Sequence, residues 1–288
     1  MRVSIHHTST YRFSRAVAFN PHRLMLRPRA ELGLDVLSHS LAISPTPALV
    51  WSTDVFGNWF ATATFADAAT ELVIESRSLV EATSPDWPIY AIEPGAQQHP
   101  FRYSTDEAAA LGVLLSPDVD GVAISEWAQG FVARPGTDTL SLLKDLNCGV
   151  GAQICYAPRS EENTQSAGET LGRRRGACRD LAELFLASAR SLGFGARAVS
   201  GYLVDSSRTG GADASHAWAE VYIPGPGWIP FDPTNSRMGG PGLVKVAVGR
   251  SSAQVLPIVG SYVGDPSDYI DLEVAVRTAT RETGVSTC

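Results

Sequence analysis

At 288 residues the chain has room for one large domain or two ordinary ones, and for a buried core. Its 44% hydrophobic and 18% charged residues fit a folded globular protein, and no stretch approaches the roughly 18 apolar residues that a spanning helix requires. A membrane protein is therefore not expected, and the formal charge of -7 without long basic runs, Arg173-Arg174-Arg175 being a local exception, makes nucleic acid an unexpected partner.

The N-terminus, MRVSIHHTSTYRFSR, alternates polar and apolar residues, lacks the continuous apolar core of a signal peptide, and reads as a first strand. From Val3 to about Glu81 the pattern is one of short strands, with Leu24, Leu26 and Trp59, Ala61, Ala63, Phe65 alternating between the breakers Pro28, Pro45, Pro47 and the turn Asp54-Val55-Phe56-Gly57-Asn58. An antiparallel β-sandwich over residues 1–95 is the expectation. Ser84-Pro85-Asp86-Trp87-Pro88 and Glu93-Pro94-Gly95 carry breakers without periodicity and read as the linker.

Residues 96–288 change character and read as α+β. Ser104-Thr105-Asp106-Glu107 has capping-box form, and Ile124–Val132 and Thr139–Leu146 have helical spacing. The run 176–192, rich in Ala and Leu and ended by Gly193, predicts a helix with Cys178 near its first turn. Strands follow at Ala196–Val204, His216–Ile223, Trp228–Phe231, Leu243–Val248 and Tyr269–Val276. No internal repeat is present.

Cys148, Cys155, Cys178 and Cys288 show no C-x-x-C spacing and no disulfide framework, which predicts free thiols and a reducing cytoplasmic location. A zinc site from the first three and a histidine matches no common spacing, so neither metal nor cofactor is expected.

A thiol attacks as the thiolate, which a positive helix end and unsatisfied backbone N–H groups favour; Cys178 lies at such an end, between Arg175 and Arg179. The same N–H groups could receive the oxyanion of a tetrahedral intermediate. In DASHAWAEVYIP, period-two alternation puts His216, Trp218, Glu220 and Tyr222 on one face and the small apolar Ala217, Ala219 and Val221 on the other, where a helix could pack. Asp232 stands at a strand end, held extended by Pro233. Taken singly, Cys178 reads as a small core residue, His216 as a satisfied histidine and Asp232 as a turn initiator. Taken in order, helix thiol, strand imidazole and strand-end carboxylate make a nucleophile, its base and the group that orients the base.

Four segments, G-A-C-R-D-L-A at 176–182, A-R-A-V-S-G-Y-L at 196–203, S-H-A-W-A-E-V at 215–221 and W-I-P-F-D-P-T-N at 228–235, resemble the transglutaminase-like superfamily. Y-R-F at 11–13, H-R-L-M-L-R-P-R at 22–29 and D-V-F-G-N at 54–58 are similar to its bacterial N-terminal region, so the likeness covers nearly the whole chain. It implies a papain-like core, a helix packed on an antiparallel sheet, and catalytic roles for Cys178, His216 and Asp232. Tyr156, as a side-chain oxyanion donor, and Asp180 and Ser215, as supporting groups, are further candidates. Ser251-Ser252-Ala253-Gln254 departs from the aromatic-acidic segment of relatives, and Glu183 stands where a histidine is common, so substrate contacts are expected to differ. There is no acidic loop with Ca²⁺-ligand spacing. The expected function is a cysteine peptidase or amidase that cleaves a peptide, isopeptide or γ-glutamyl bond through a Cys178 thioester, with water as the preferred acceptor; a crosslinking transamidase and a non-catalytic scaffold are the alternatives.

Overall fold

The computed structural model describes residues 1–83, 89–117, 121–159, 163–204, 215–239 and 242–281. The first third of the chain is all strand: β1 (Arg2–Phe19), β2 (His22–Leu24), β3 (Leu34–Ser44), β4 (Ala48–Thr53), β5 (Trp59–Thr64) and β6 (Ala69–Ala82). The strands are not uniformly short as expected, since β1 runs for 18 residues and β6 for 14. Neither holds a Pro or Gly, and alternation buries Val3, Ile5, His7 and Ser9 on one face of β1 without a break. The turn between β4 and β5 is built by Asp54, whose Oδ1 accepts the Phe56 and Asn58 N–H groups, with Gly57 at φ 71°.

The middle of the chain carries β7 (Gln98–His99), α1 (Thr105–Leu111), α2 (Gly121–Gln129), β8 (Thr137–Asp138), α3 (Thr139–Gln153), β9 (Cys155–Tyr156), α4 (Ala167–Arg173), β10 (Arg175–Gly176) and α5 (Cys178–Ser191). The capping box is present: the Glu107 N–H donates to Ser104 Oγ and the Ser104 N–H to Glu107 Oε2. Of the linker, 84–88 lies outside the described residues. Glu93-Pro94-Gly95 does not behave as one, because Pro94–Ala96 forms a 3₁₀ turn that buries Ala96 while the Glu93 N–H donates to the Pro224 carbonyl.

Next come β11 (Gly195–Leu203), β12 (Ser215–Ile223), β13 (Gly227–Asp232), β14 (Arg237–Met238) and β15 (Leu243–Gly249), one antiparallel sheet in the order β14-β13-β12-β11-β15. Helix α5 packs on β11 and β12. Its Leu181, Leu184 and Phe185 share a core with Ala198, Ala219, Val221 and Phe231, and the rings of Phe185 and Phe231 stack at 5.3 Å. Alanines on the sheet let the helix approach closely, which is what the small apolar face of β12 predicted.

The chain ends with β16 (Ile258–Val259), β17 (Tyr262–Val263) and β18 (Tyr269–Arg281), and these strands correct the expected division into 1–95 and 96–288 at the level of the sheets. β17 and β18 pair with β1, in the sheet β17-β1-β6-β3, and β16 pairs with β2, in the sheet β16-β2-β5-β4. Local sequence marks β18 as a strand but not whose edge it joins. The two regions also share a core: Val3, Ile5, Val80 and Val276 belong to the same apolar cluster as α5. Their joint is pinned by Asn58, whose Nδ2 donates to the Val248 carbonyl at 2.6 Å and whose Oδ1 accepts the Val248 N–H at 2.9 Å. The fold is thus α+β, a β-rich N-terminal region beside a helix packed on an antiparallel sheet. No helix among the described residues is long and apolar enough to cross a membrane.

Candidate active site

Cys178 is the first residue of α5, half-buried and free. The start of this helix is fixed from below by Asp180, which is fully buried and accepts three hydrogen bonds: from the Ala177 N–H at 2.8 Å, the Gln165 N–H at 2.8 Å and Arg159 Nη1 at 2.8 Å. An acid at the third helical position closes the helix end and faces its positive dipole. A Cβ on Gly176 would lie 2.7 Å from the Asp180 Cβ, so this close approach requires the glycine. Asp180 therefore shapes the turn that carries the thiol.

His216 enters from β12, next to the sheet end. Its Nε2 is 2.8 Å from Asp232 Oδ2, which commits that nitrogen to the carboxylate and leaves Nδ1 for a second partner, and Cys178 is near enough to act on the ring electrostatically. The Trp218 ring lies nearly parallel to the imidazole, centroids 6.1 Å apart. Burial alone would lower the His216 pKa, but hydrogen bonds to Asp232 and Cys178 and their charges outweigh it and push the group up to about 10.

Asp232 is fully buried at the end of β13. Its two oxygens divide the work. Oδ1 accepts the Thr234 and Asn235 N–H groups at 3.1 and 3.3 Å, while Oδ2 takes His216 and the Asn235 Nδ2 at 2.7 Å. The turn-initiator reading and the imidazole-holding reading are both satisfied at once. Burial pushes the Asp232 carboxyl up, and the hydrogen bonds from His216 and Asn235 overcome this and hold it below the ordinary aspartate value.

Tyr156 lies in register with Gly176 on the parallel pair β9–β10, and is half-exposed. Burial raises its pKa first and the Cys178 charge second, which puts the phenol within electrostatic reach of the sulfur. Ser215 opens β12 opposite Tyr202 and is half-buried, next in the chain to His216, with its side chain on the opposite face of the strand.

Three supporting residues were not singled out from the sequence. Asn235, in the W-I-P-F-D-P-T-N segment, holds the carboxylate of Asp232 and approaches His216 Nε2 at 3.4 Å. Asn147 of α3 donates to the carbonyls of Asp232 and Arg237, tying the turn to a helix. Arg159 caps Asp180. Only Asn235 had a readable signal, an amide three residues after the acid.

Glu183 and the segment at 251–254, both expected from the sequence to alter substrate contacts, meet each other. The Ser252 N–H donates to Glu183 Oε2 at 2.9 Å and Ser252 Oγ to the Arg179 carbonyl at 3.2 Å, so this short 3₁₀ turn is latched to the first turns of α5. Cys148 is half-buried and Cys155 exposed, both free, and Cys288 lies outside the described residues. Among the described residues no group of three or more His, Cys, Asp or Glu side chains is placed to hold a metal ion.

A thiol at a helix start, an imidazole on a neighbouring strand and a buried carboxylate behind it define the class of papain-like, transglutaminase-like folds. Comparison agrees: the family model of the transglutaminase-like superfamily matches residues 125–233, and that of the bacterial transglutaminase-like N-terminal region matches residues 3–81. This chain belongs to the transglutaminase-like superfamily. An uncharacterized protein of Mycobacterium tuberculosis is 30% identical over 96% of this chain and 92% of its own length. One of Mycobacterium leprae is 24% identical over 96% and 98%. The crystal structure of a candidate cysteine protease from Cytophaga hutchinsonii superposes with a TM-score of 0.73 at 22% identity, covering 98% of this chain and 92% of the other.

Proposed function

We propose that this protein is a thiol-dependent acyl-transfer enzyme, a cysteine peptidase or amidase in which Cys178 is the nucleophile, His216 its acid and base, and Asp232 the group that orients the imidazole. The observation that carries this reading is the hydrogen bond of His216 Nε2 to the buried Asp232 at 2.8 Å, with Cys178, at the start of α5, close enough to help raise the imidazole pKa. The family and the likeness to a candidate cysteine protease support it.

The chemistry follows from the geometry. A His216 held near 10 keeps its proton at neutral pH, so an imidazolium stands beside the sulfur that must become anionic. The sulfur attacks an amide carbonyl, and the carbonyl oxygen takes up the negative charge against the N–H groups at the start of α5. Collapse breaks the C–N bond, His216 gives its proton to the departing amine, and a thioester on Cys178 remains. The now neutral imidazole takes a proton from water as the water oxygen attacks the thioester, which releases the carboxylic acid and restores the sulfur and imidazolium.

The test pairs wild type with Cys178→Ala. Product analysis on a mixed library of peptide, isopeptide and γ-glutamyl amides is expected to show Cys178-dependent cleavage, and an iodoacetamide-type probe to lose its Cys178 label in the variant. Persistent turnover in Cys178→Ala would remove the mechanism. Addition of an amine acceptor separates hydrolase from transamidase: more transamidated than hydrolysed product would overturn the choice of water.

A further inference from the structure

A cleft of about 620 Å³ opens beside the candidate active site, between the β-rich region and the start of α5. Its lining includes Arg179 and Ser215, the chain neighbours of Cys178 and His216, and the segment 256–260 that carries β16. Resting on the reading of Cys178 as the acyl acceptor, we propose that this cleft binds an extended peptide, apolar side chains down, and so makes a peptide the substrate.

The floor arises from a mismatch between the two sheets of the β-rich region. Register places Leu72 and Leu272 on either side of Tyr11, and Ile74 and Val274 on either side of Ser9, so all four point to one face of the sheet. On β6 that face is covered by the second sheet, and Leu72 and Ile74 are buried. One strand further out, on β18, the cover has ended. Leu272 and Val274 remain 37% and 41% exposed side by side on that face, and Ile270, the extra residue where the register slips, is 59% exposed; all three line the cleft. Apolar side chains spaced by two along a strand are a template for every second side chain of another extended chain.

The backbone bears on the cleft too. The register slips between Arg12 and Phe13, leaving Ile270 as an extra residue on β18, and Tyr269, Ile270, Asp271 and Leu272 all line the cleft. Among the described residues β18 pairs with β1 alone, which leaves its outer edge for a further strand. The stretch 269–274 spans roughly 17 Å at the usual strand rise, room for about five extended residues. A small γ-glutamyl compound would leave most of this length empty. Charge on the floor is scarce: burial keeps His7 and His22, at the base, below the ordinary histidine value, and Asp271 is paired with Arg12.

The experiment reads binding and turnover separately. Cys178→Ala protein is titrated with short peptides rich in Leu, Val and Phe that carry a benzophenone, and the crosslinks are mapped by mass spectrometry. Crosslinks are expected in 256–260 and 269–274. Ile270→Glu and Val274→Glu, each added to Cys178→Ala, should weaken binding by about tenfold or more, and Val274→Thr, which keeps the side-chain shape, by a few-fold. Peptides with Asp and Lys in place of the apolar residues should bind the parent at least about tenfold more weakly. Thermal melting checks that the variants stay folded. Crosslinks elsewhere, or glutamate variants that bind as the parent does, overturn the proposal. Absence of all peptide turnover by wild type would instead overturn the reading of Cys178, while the binding arm still decides the cleft.

Discussion

Two buried histidines, one in each region of the molecule, meet opposite fates. His7 in β1 is 2% exposed and hydrogen-bonds only hydroxyls, Tyr202 on Nδ1 at 3.1 Å and Ser9 on Nε2 at 3.0 Å. Burial, with a smaller push from His6, lowers it to about 4, so it is a neutral strut between the two regions. His216 in β12 is 9% exposed, yet its Asp232 and Cys178 partners overcome the same burial and lift it to about 10. Burial alone does not decide a histidine's charge. Its partners do, and of these two only His216 has a carboxylate and a thiol acting on it.

The largest effect is expected at the thiol. Cys178→Ala should reduce turnover by about 10⁴-fold or more, measured as initial rate on any substrate that the library identifies, because the chemistry has no second nucleophile. Asp232→Asn is next, with an expected fall of about 10²- to 10⁴-fold in kcat. It should also move His216 toward its ordinary value, read as a downfield-to-upfield NMR titration shifted to lower pH, with the alkaline limb of the rate profile following it. Asn235→Ala leaves Oδ2 of Asp232 with one partner fewer and should cost about tenfold in kcat, without changing KM.

Stability separates the two histidines as well, and they should give opposite signs. The raised pKa of His216 means that its contribution is complete below about pH 6.5 and is lost as pH rises toward 10. The lowered pKa of His7 means that its contribution is present above about pH 6.5 and is lost as pH falls toward 4, by ~3 kcal/mol when protonation is complete. Urea melts across pH, wild type against His7→Gln, should lose the acid limb in the variant and keep the alkaline one. An unchanged acid limb would show that His7 is not the neutral strut described.

Much of the site was legible because each member sits in a short segment with its own pattern. Cys178 follows Gly-Ala and opens a helix, His216 begins a strand with an alanine face, and Asp232 precedes a proline. What was not legible depends on distant contacts. Arg159 and Gln165 come to Asp180 from a loop, Asn147 reaches the Asp232 turn from α3, and Asn58 crosses from one region to the other to grip Val248. The fold shows the same limit: the strand pattern at Tyr269–Val276 was readable, but pairing with β1, some 260 residues away in sequence, is a property of the assembled sheet. Asp232 teaches a further point. Its turn role and its partner role looked like rivals from the sequence, and two carboxylate oxygens allow both.

The most direct test is intact-mass and peptide-mapping analysis of enzyme quenched during turnover of a peptide ester or amide. The account predicts a hydroxylamine-labile acyl adduct on the peptide that contains Cys178, absent in Cys178→Ala and accumulating more slowly in Asp232→Asn. An adduct on Cys148 or Cys155, or one that survives replacement of Cys178, would contradict it.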